Sequence, residues 1–148
     1  MTLEESAKGL HLNPDGTFGP TRNKKSYIVM PYHAKTGKVK KPSDQKTRWE
    51  IAANQHYYLF ALADACDWKC SESKNYFAVH DDCKTKLGNG GERIAFFTCV
   101  NPDNGTIPWH GYPVLSQDYC PPDTLLDSWE KNGIISSPVK KNIERKRI

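Results

Sequence analysis

A small α+β domain, in which a mostly antiparallel sheet packs against one main buried helix and a short C-terminal helix follows, is what three features of the sequence predict. The first is a capping-box pattern, Thr47-Arg-Trp-Glu50, in front of a run of apolar residues at helical spacing. The second is a pair of β-branched and aromatic runs bounded by turn residues. The third is their order: strand follows strand, without the regular alternation with helices that a parallel sheet requires. At 148 residues and 37% hydrophobic, the chain is close to the usual size of one domain, and a second core is not expected.

Residues 1–25 hold Asn13-Pro-Asp-Gly16 and Gly19-Pro20 with little apolar periodicity, and read as an N-terminal arm with a tight turn that packs through Leu10, Leu12 and Phe18. The single α+β domain is expected over 26–138. Tyr27-Ile-Val-Met30 is a compact β-prone run closed by Pro31, and Lys35-Thr-Gly-Lys38 reads as a turn. From Thr47 the main helix is expected, with Trp49, Ala52, Ala53, His56, Phe60 and Ala63 in one apolar row and Ile51, Tyr58, Leu62 and Ala65 in another. Asn75–His80 and Arg93–Val100 read as strands. Asn101-Pro-Asp-Asn-Gly105 is a dense turn signal, so a hairpin returning through Thr106–His110 follows. Pro108 and Pro113 cannot donate to a ladder, which makes that strand short or places it at an edge. Pro121-Pro122 opens a short helix through Leu125, Leu126 and Trp129 that stops near Asn132-Gly133, and 139–148 reads as a basic tail.

Charge is segregated along the chain. Residues 21–48 carry nine basic side chains and one acidic, residues 139–148 carry five and one, and residues 49–138 carry six and twelve. Concentrated positive potential suits a polyanion, so nucleic acid or an acidic protein is the expected partner. The candidate binding residues are Arg22, Lys24, Lys25, Lys35, Lys38, Lys40 and Lys41, with Trp109 for stacking. The acidic start, Met1-Thr-Leu-Glu-Glu5, is unlike a secretory leader, and five cysteines cannot all pair; a cytoplasmic chain with reduced thiols is expected. The longest uncharged apolar stretch, Ile51–Ala63, is too short for a bilayer, so no membrane partner is expected. Asn104-Gly-Thr106 is then a plain turn, not a glycosylation acceptor.

Two constellations could carry chemistry. In Pro108-Trp-His-Gly-Tyr-Pro113 the prolines and the glycine hold an imidazole between aromatic rings, and His110 with Tyr112 and His33 would form the catalytic set of a metal-independent RNA-cleaving enzyme. A corner whose rings cover the core explains the same hexapeptide. Cys66, Cys70, His80 and Cys83 are ligand types for tetrahedral zinc, which would stabilise an adaptor, although their spacing is that of no familiar finger and no cofactor is otherwise implied. Phosphate-cradling loops, nucleophile elbows, metalloprotease helices and deaminase signatures are missing. The reading that follows is a binding or interaction domain with a basic surface, with the RNA-cleaving enzyme second and the zinc adaptor third.

Overall fold

The computed structural model describes residues 2–31, 33 and 47–148. It is an α+β fold built on a three-stranded antiparallel sheet. The elements are α1 (Leu3–Ala7), α2 (Ala53–Cys66), β1 (Tyr76–Ala78), β2 (Ile94–Thr98), β3 (His110–Val114), α3 (Asp123–Lys131) and α4 (Ser137–Glu144), with the strands in the order β1-β2-β3. Among the described residues no helix is long and apolar enough to cross a membrane.

The register divides the sheet into two faces. Phe97 lies opposite Tyr76 and Gly111, and Ala95 opposite Ala78 and Pro113. This face receives α2, whose Phe60 ring meets Phe97 at 5.3 Å, Tyr76 at 6.0 Å and Trp109 at 5.6 Å. On the other face Phe96 sits between Phe77 and Tyr112. Gly111 cannot be larger: a Cβ there would enter the Phe97 ring and reach 2.6 Å from the Phe96 carbonyl oxygen. β3 is an edge strand, which is where Pro113 is tolerated, but it runs over His110–Val114 and not over Thr106–His110 as expected. The returning chain is drawn in later because 101–107 is consumed by turns, with the Asn104 carboxamide accepting from the Thr106 backbone at 3.0 Å and its hydroxyl at 2.7 Å.

The main helix starts six residues later than Thr47. The Trp49 and Glu50 N–H groups are spent on distant partners, the carbonyls of His33 (2.9 Å) and Leu87 (2.8 Å), so Thr47–Glu50 is held extended. Ala52 instead caps the helix, its N–H donating to Gln55 Oε1 at 2.8 Å. Tertiary pairing outweighs a cap of about 1 kcal/mol. Tyr27–Met30 likewise makes no full strand: Tyr27 bridges Phe18 on one side and Trp109 on the other, a single residue linking two ribbons.

Both chain ends are more ordered than their composition suggests. Thr2 and Glu5 form a capping box on α1, whose Leu3 and Ala7 are buried, and Asn54 Nδ2 donates to the Ala7 carbonyl at 3.2 Å. The stretch read as a basic tail carries α4, capped by the Ser136 hydroxyl, with Ile143 fully buried. Val139 and Ile143, one helical turn apart, make the apolar stripe that the surrounding charge obscures.

At the centre of the α2 layer lies a buried polar contact. Tyr27 Oη and His56 Nδ1 are 2.6 Å apart, and the Trp49 indole stacks on the His56 ring at 4.5 Å with 3° between planes. Burial holds the imidazole neutral, with its pKa pushed down to about 3, and raises that of the Tyr27 phenol. The neutral imidazole and the protonated phenol thus share one hydrogen bond between them. In the unfolded chain His56 takes up a proton below about pH 6.5, while the folded protein refuses it until about pH 3, so stability is complete above the first value and declines towards the second. At about pH 4.5 the loss owed to His56 should be on the order of 2–3 kcal/mol relative to neutral pH. Urea denaturation at the two pH values is expected to show this loss in the native chain and to show most of it abolished in His56→Gln.

Candidate functional site

Two clefts open at the end of the sheet where β2 begins and β3 ends. The first, of about 490 Å³, is lined by Thr47, Glu92, Tyr112, Tyr119, Asp118 and the end of β3 with Leu115. The second, of about 370 Å³, is lined by Lys84, Arg93 and Arg147 together with Asp82, Cys83 and Val139. Leu115 belongs to both, so the clefts adjoin.

The aromatic cleft is built outward from the sheet. Tyr119 is 44% exposed, and its ring lies on Phe96 at 4.6 Å with 24° between planes, so the core supports one side of an accessible ring. Tyr112 stands at 74° to Tyr119, 6.1 Å away, and is backed by the His33 imidazole at 4.6 Å. Burial first, and then a hydrogen bond with Tyr119, raises the pKa of the Tyr112 phenol, which stays protonated at neutral pH. Glu92 is buried, and its Oε1 accepts from Gly90 N–H at 2.8 Å. The run Gly88-Asn-Gly-Gly91 makes room for this carboxylate, since a Cβ on Gly88 or Gly90 would collide with Glu92 oxygens.

The basic cleft depends on a strained turn. Asp81, Asp82 and Cys83 all have left-handed backbone, at φ 51°, 53° and 61°, a conformation that costs each on the order of 1–2 kcal/mol. The turn is held by its outward contacts: Asp82 Oδ1 accepts from Ser136 N–H at 2.7 Å, and the Cys83 carbonyl accepts from Arg93 Nη1 at 3.2 Å. Asp82, which lines the cleft, is thereby engaged at the N-terminus of α4, and Lys84 and Arg93 line the same space.

Several residues singled out in the sequence have other occupations. Trp109 is 3% exposed, packed on Phe60 and Tyr76, and cannot serve as a stacking platform because it forms part of the α2 core. Lys25 is bound to the buried Asp64 at 2.8 Å, in a knot where Asn23 N–H and Nδ2 also donate to Asp64. Burial opposes the charge on Asp64, but the bonds from Lys25, Thr21 and Asn23 outweigh it and hold its pKa low. Arg22 and Lys24 are exposed on the same turn, on the α2 side of the sheet. Lys35, Lys38, Lys40 and Lys41 lie outside the described residues; the flanking His33 and Thr47 are joined by an Nδ1···O contact of 2.7 Å at the rim of the aromatic cleft.

The expected catalytic set is brought together in part. His33 and Tyr112 stack, and His110 is two residues from Tyr112 on the same strand. The His33 ring is buried, with Nδ1 committed to the Thr47 carbonyl, and burial lowers the pKa of the half-buried His110. The four expected zinc ligands do not converge, and no group of three or more His, Cys, Asp or Glu side chains suited to a metal occurs among the described residues. Cys66 is exposed at the end of α2, Cys83 is buried with its thiol pushed up to about 12, and His80 Nδ1 lies 2.7 Å from Thr85 Oγ1 in a third cleft beside α1. The residues that do converge, Tyr119, Glu92, Arg93, Lys84 and Arg147, come from segments whose meeting no local spacing announces.

No family model, no curated protein and no solved structure matches the chain.

Seating of the Glu92 carboxylate in its glycine cradle is open to a direct check. Gly88→Ala should destabilise the fold by about 1–3 kcal/mol, because the added methyl meets both the carboxylate and the Pro113 ring. Combined with Glu92→Ala, the cost in a double-mutant cycle followed by urea denaturation should be smaller than additive. Strict additivity would place the carboxylate elsewhere.

Proposed function

We propose that this chain is a non-catalytic binding domain for single-stranded nucleic acid, with phosphates held in the basic cleft and a base in the adjoining aromatic cleft. The observation that carries the reading is that adjacency: three cations, Lys84, Arg93 and Arg147, and two rings, Tyr112 and Tyr119, line spaces that share Leu115. Cations give affinity to any phosphate backbone by releasing its counterions, and rings add sequence-tolerant stacking. A single strand suits the geometry better than a duplex, whose bases are not available to an exposed tyrosine.

The expected behaviour is salt-dependent binding of a labelled RNA or DNA decamer, followed by fluorescence anisotropy between about 50 and 200 mM salt. Lys84→Ala combined with Arg147→Ala should weaken affinity and flatten the salt slope, each lost phosphate contact reducing it by about 0.7. Tyr119→Ala should cost about 1–3 kcal/mol of binding with the slope unchanged. Affinity that follows Arg22 and Lys24 instead would move the interface to the α2 side of the sheet, and binding of a polyglutamate peptide in preference to the decamer would make the partner an acidic protein. Cleavage of the RNA that co-elutes with the folded chain and disappears in His110→Ala would replace the binding reading with an enzymatic one.

A further inference from the structure

We propose that the aromatic cleft selects guanine, an inference that rests on the nucleic-acid reading and specifies what that site prefers. The cleft offers two rings and two carboxylates, those of Glu92 and Asp118, and no basic side chain lines it among the described residues. Its volume of about 490 Å³ is in the range that holds a small organic ligand. Tyr119, supported by Phe96 at 4.6 Å, presents a stacking surface, and Tyr112, fixed between His33 and Tyr119, closes one side.

The polar groups then decide among the bases. A carboxylate can only accept hydrogen bonds. Guanine carries two adjacent donors on its Watson–Crick edge, N1–H and the N2 amine, spaced to meet the two oxygens of one carboxylate. Adenine and cytosine place an acceptor beside their amine, and uracil places its one N–H between two carbonyl oxygens; each of these would press a lone pair against a carboxylate. Glu92 is held for this task by the Gly90 N–H and by glycines at 88 and 90, whose missing side chains leave the space it occupies. Asp118, exposed at the rim, is placed for the same edge or for a ribose hydroxyl. The same negative charge turns phosphate away from this cleft and towards Lys84, Arg93 and Arg147 beyond Leu115, which sets the direction in which a nucleotide lies.

Titration of the full chain with guanosine, inosine, adenosine, cytidine and uridine 5′-monophosphates, read by tyrosine fluorescence and calorimetry, tests this. The guanine nucleotide should bind about tenfold more tightly than the others, with the inosine nucleotide, which lacks the N2 amine, on the weak side. Glu92→Gln should erase the preference, and Asp118→Asn, at an exposed position where folding is not at issue, should reduce it. Guanosine without phosphate should keep the base preference at lower affinity. Equal affinity for all five nucleotides, with salt-dependent decamer binding intact, overturns the guanine assignment and leaves the nucleic-acid reading standing. Guanine-selective binding of the mononucleotide with no decamer binding keeps the subsite and removes the polymer reading. Binding of n-butylammonium or spermine, competed by none of the nucleotides, overturns both and makes the cleft a site for organic cations.

Discussion

The Tyr27–His56 hydrogen bond, stacked under Trp49, is the contact on which the rest of the structure depends. It joins three segments with no local reason to meet: the ribbon of residues 18–27, the α2 helix and the extended segment 47–50. Each partner reaches further. Tyr27 touches Phe60 and Phe97, and its neighbours Ser26 and Ile28 exchange backbone bonds with Trp109 at 2.8 Å. Trp49 Nε1 donates to the Gly111 carbonyl at 3.2 Å, fixing β3 from the opposite side. An apolar pair of the same volume would give similar burial but no direction, whereas a donor and an acceptor isolated from water satisfy each other in one arrangement only.

The same contact explains where sequence reasoning succeeds and where it stops. Strand β2 and helix α3 are legible because their signals are local: Ile94-Ala-Phe-Phe-Thr98 is an unbroken β-prone run, and Pro122 with Asn132-Gly133 brackets nine helical residues. The α2 boundary is misplaced because Trp49 and Glu50 satisfy their N–H groups through His33 and Leu87, 16 and 37 residues away. The α4 helix is hidden by its charges, since a stripe of two apolar residues in eight is weak until α3 lies beside it. At the candidate site only Tyr112 and His33 are anticipated. Glu92, Arg93, Tyr119 and Arg147 are ordinary surface letters individually, and only the fold makes them neighbours.

Charge along the chain also proves a poor map of charge in space. Lys25, in the most basic stretch, serves Asp64 in a nearly dry knot, and Lys140 in α4 is shared between Asp127 at 2.6 Å and Glu130 at 3.6 Å. These cations are spent on the fold. Arg93 and Lys84, by contrast, belong to the acidic middle of the sequence, yet they meet Arg147 from the last turn of the chain in a cleft where the Asp82 carboxylate is engaged.

The two faces of the sheet divide the work accordingly. Towards α2 the rings are packed against one another, with Tyr27, Phe60, Phe97 and Trp109 all at most 3% exposed. On the other face the row Phe77, Phe96, Tyr112 continues into Tyr119, so burial fades into exposure along one aromatic series. The left-handed turn at 81–83 lies at the end of this face, and its strain is held there by Ser136 and Arg93. Relaxing that turn would release the wall that carries Lys84. Left-handed backbone also occurs at Lys24, Asp67, Lys74 and Lys146, but only at 81–83 do three such residues follow one another, and there the strained segment lines a cleft.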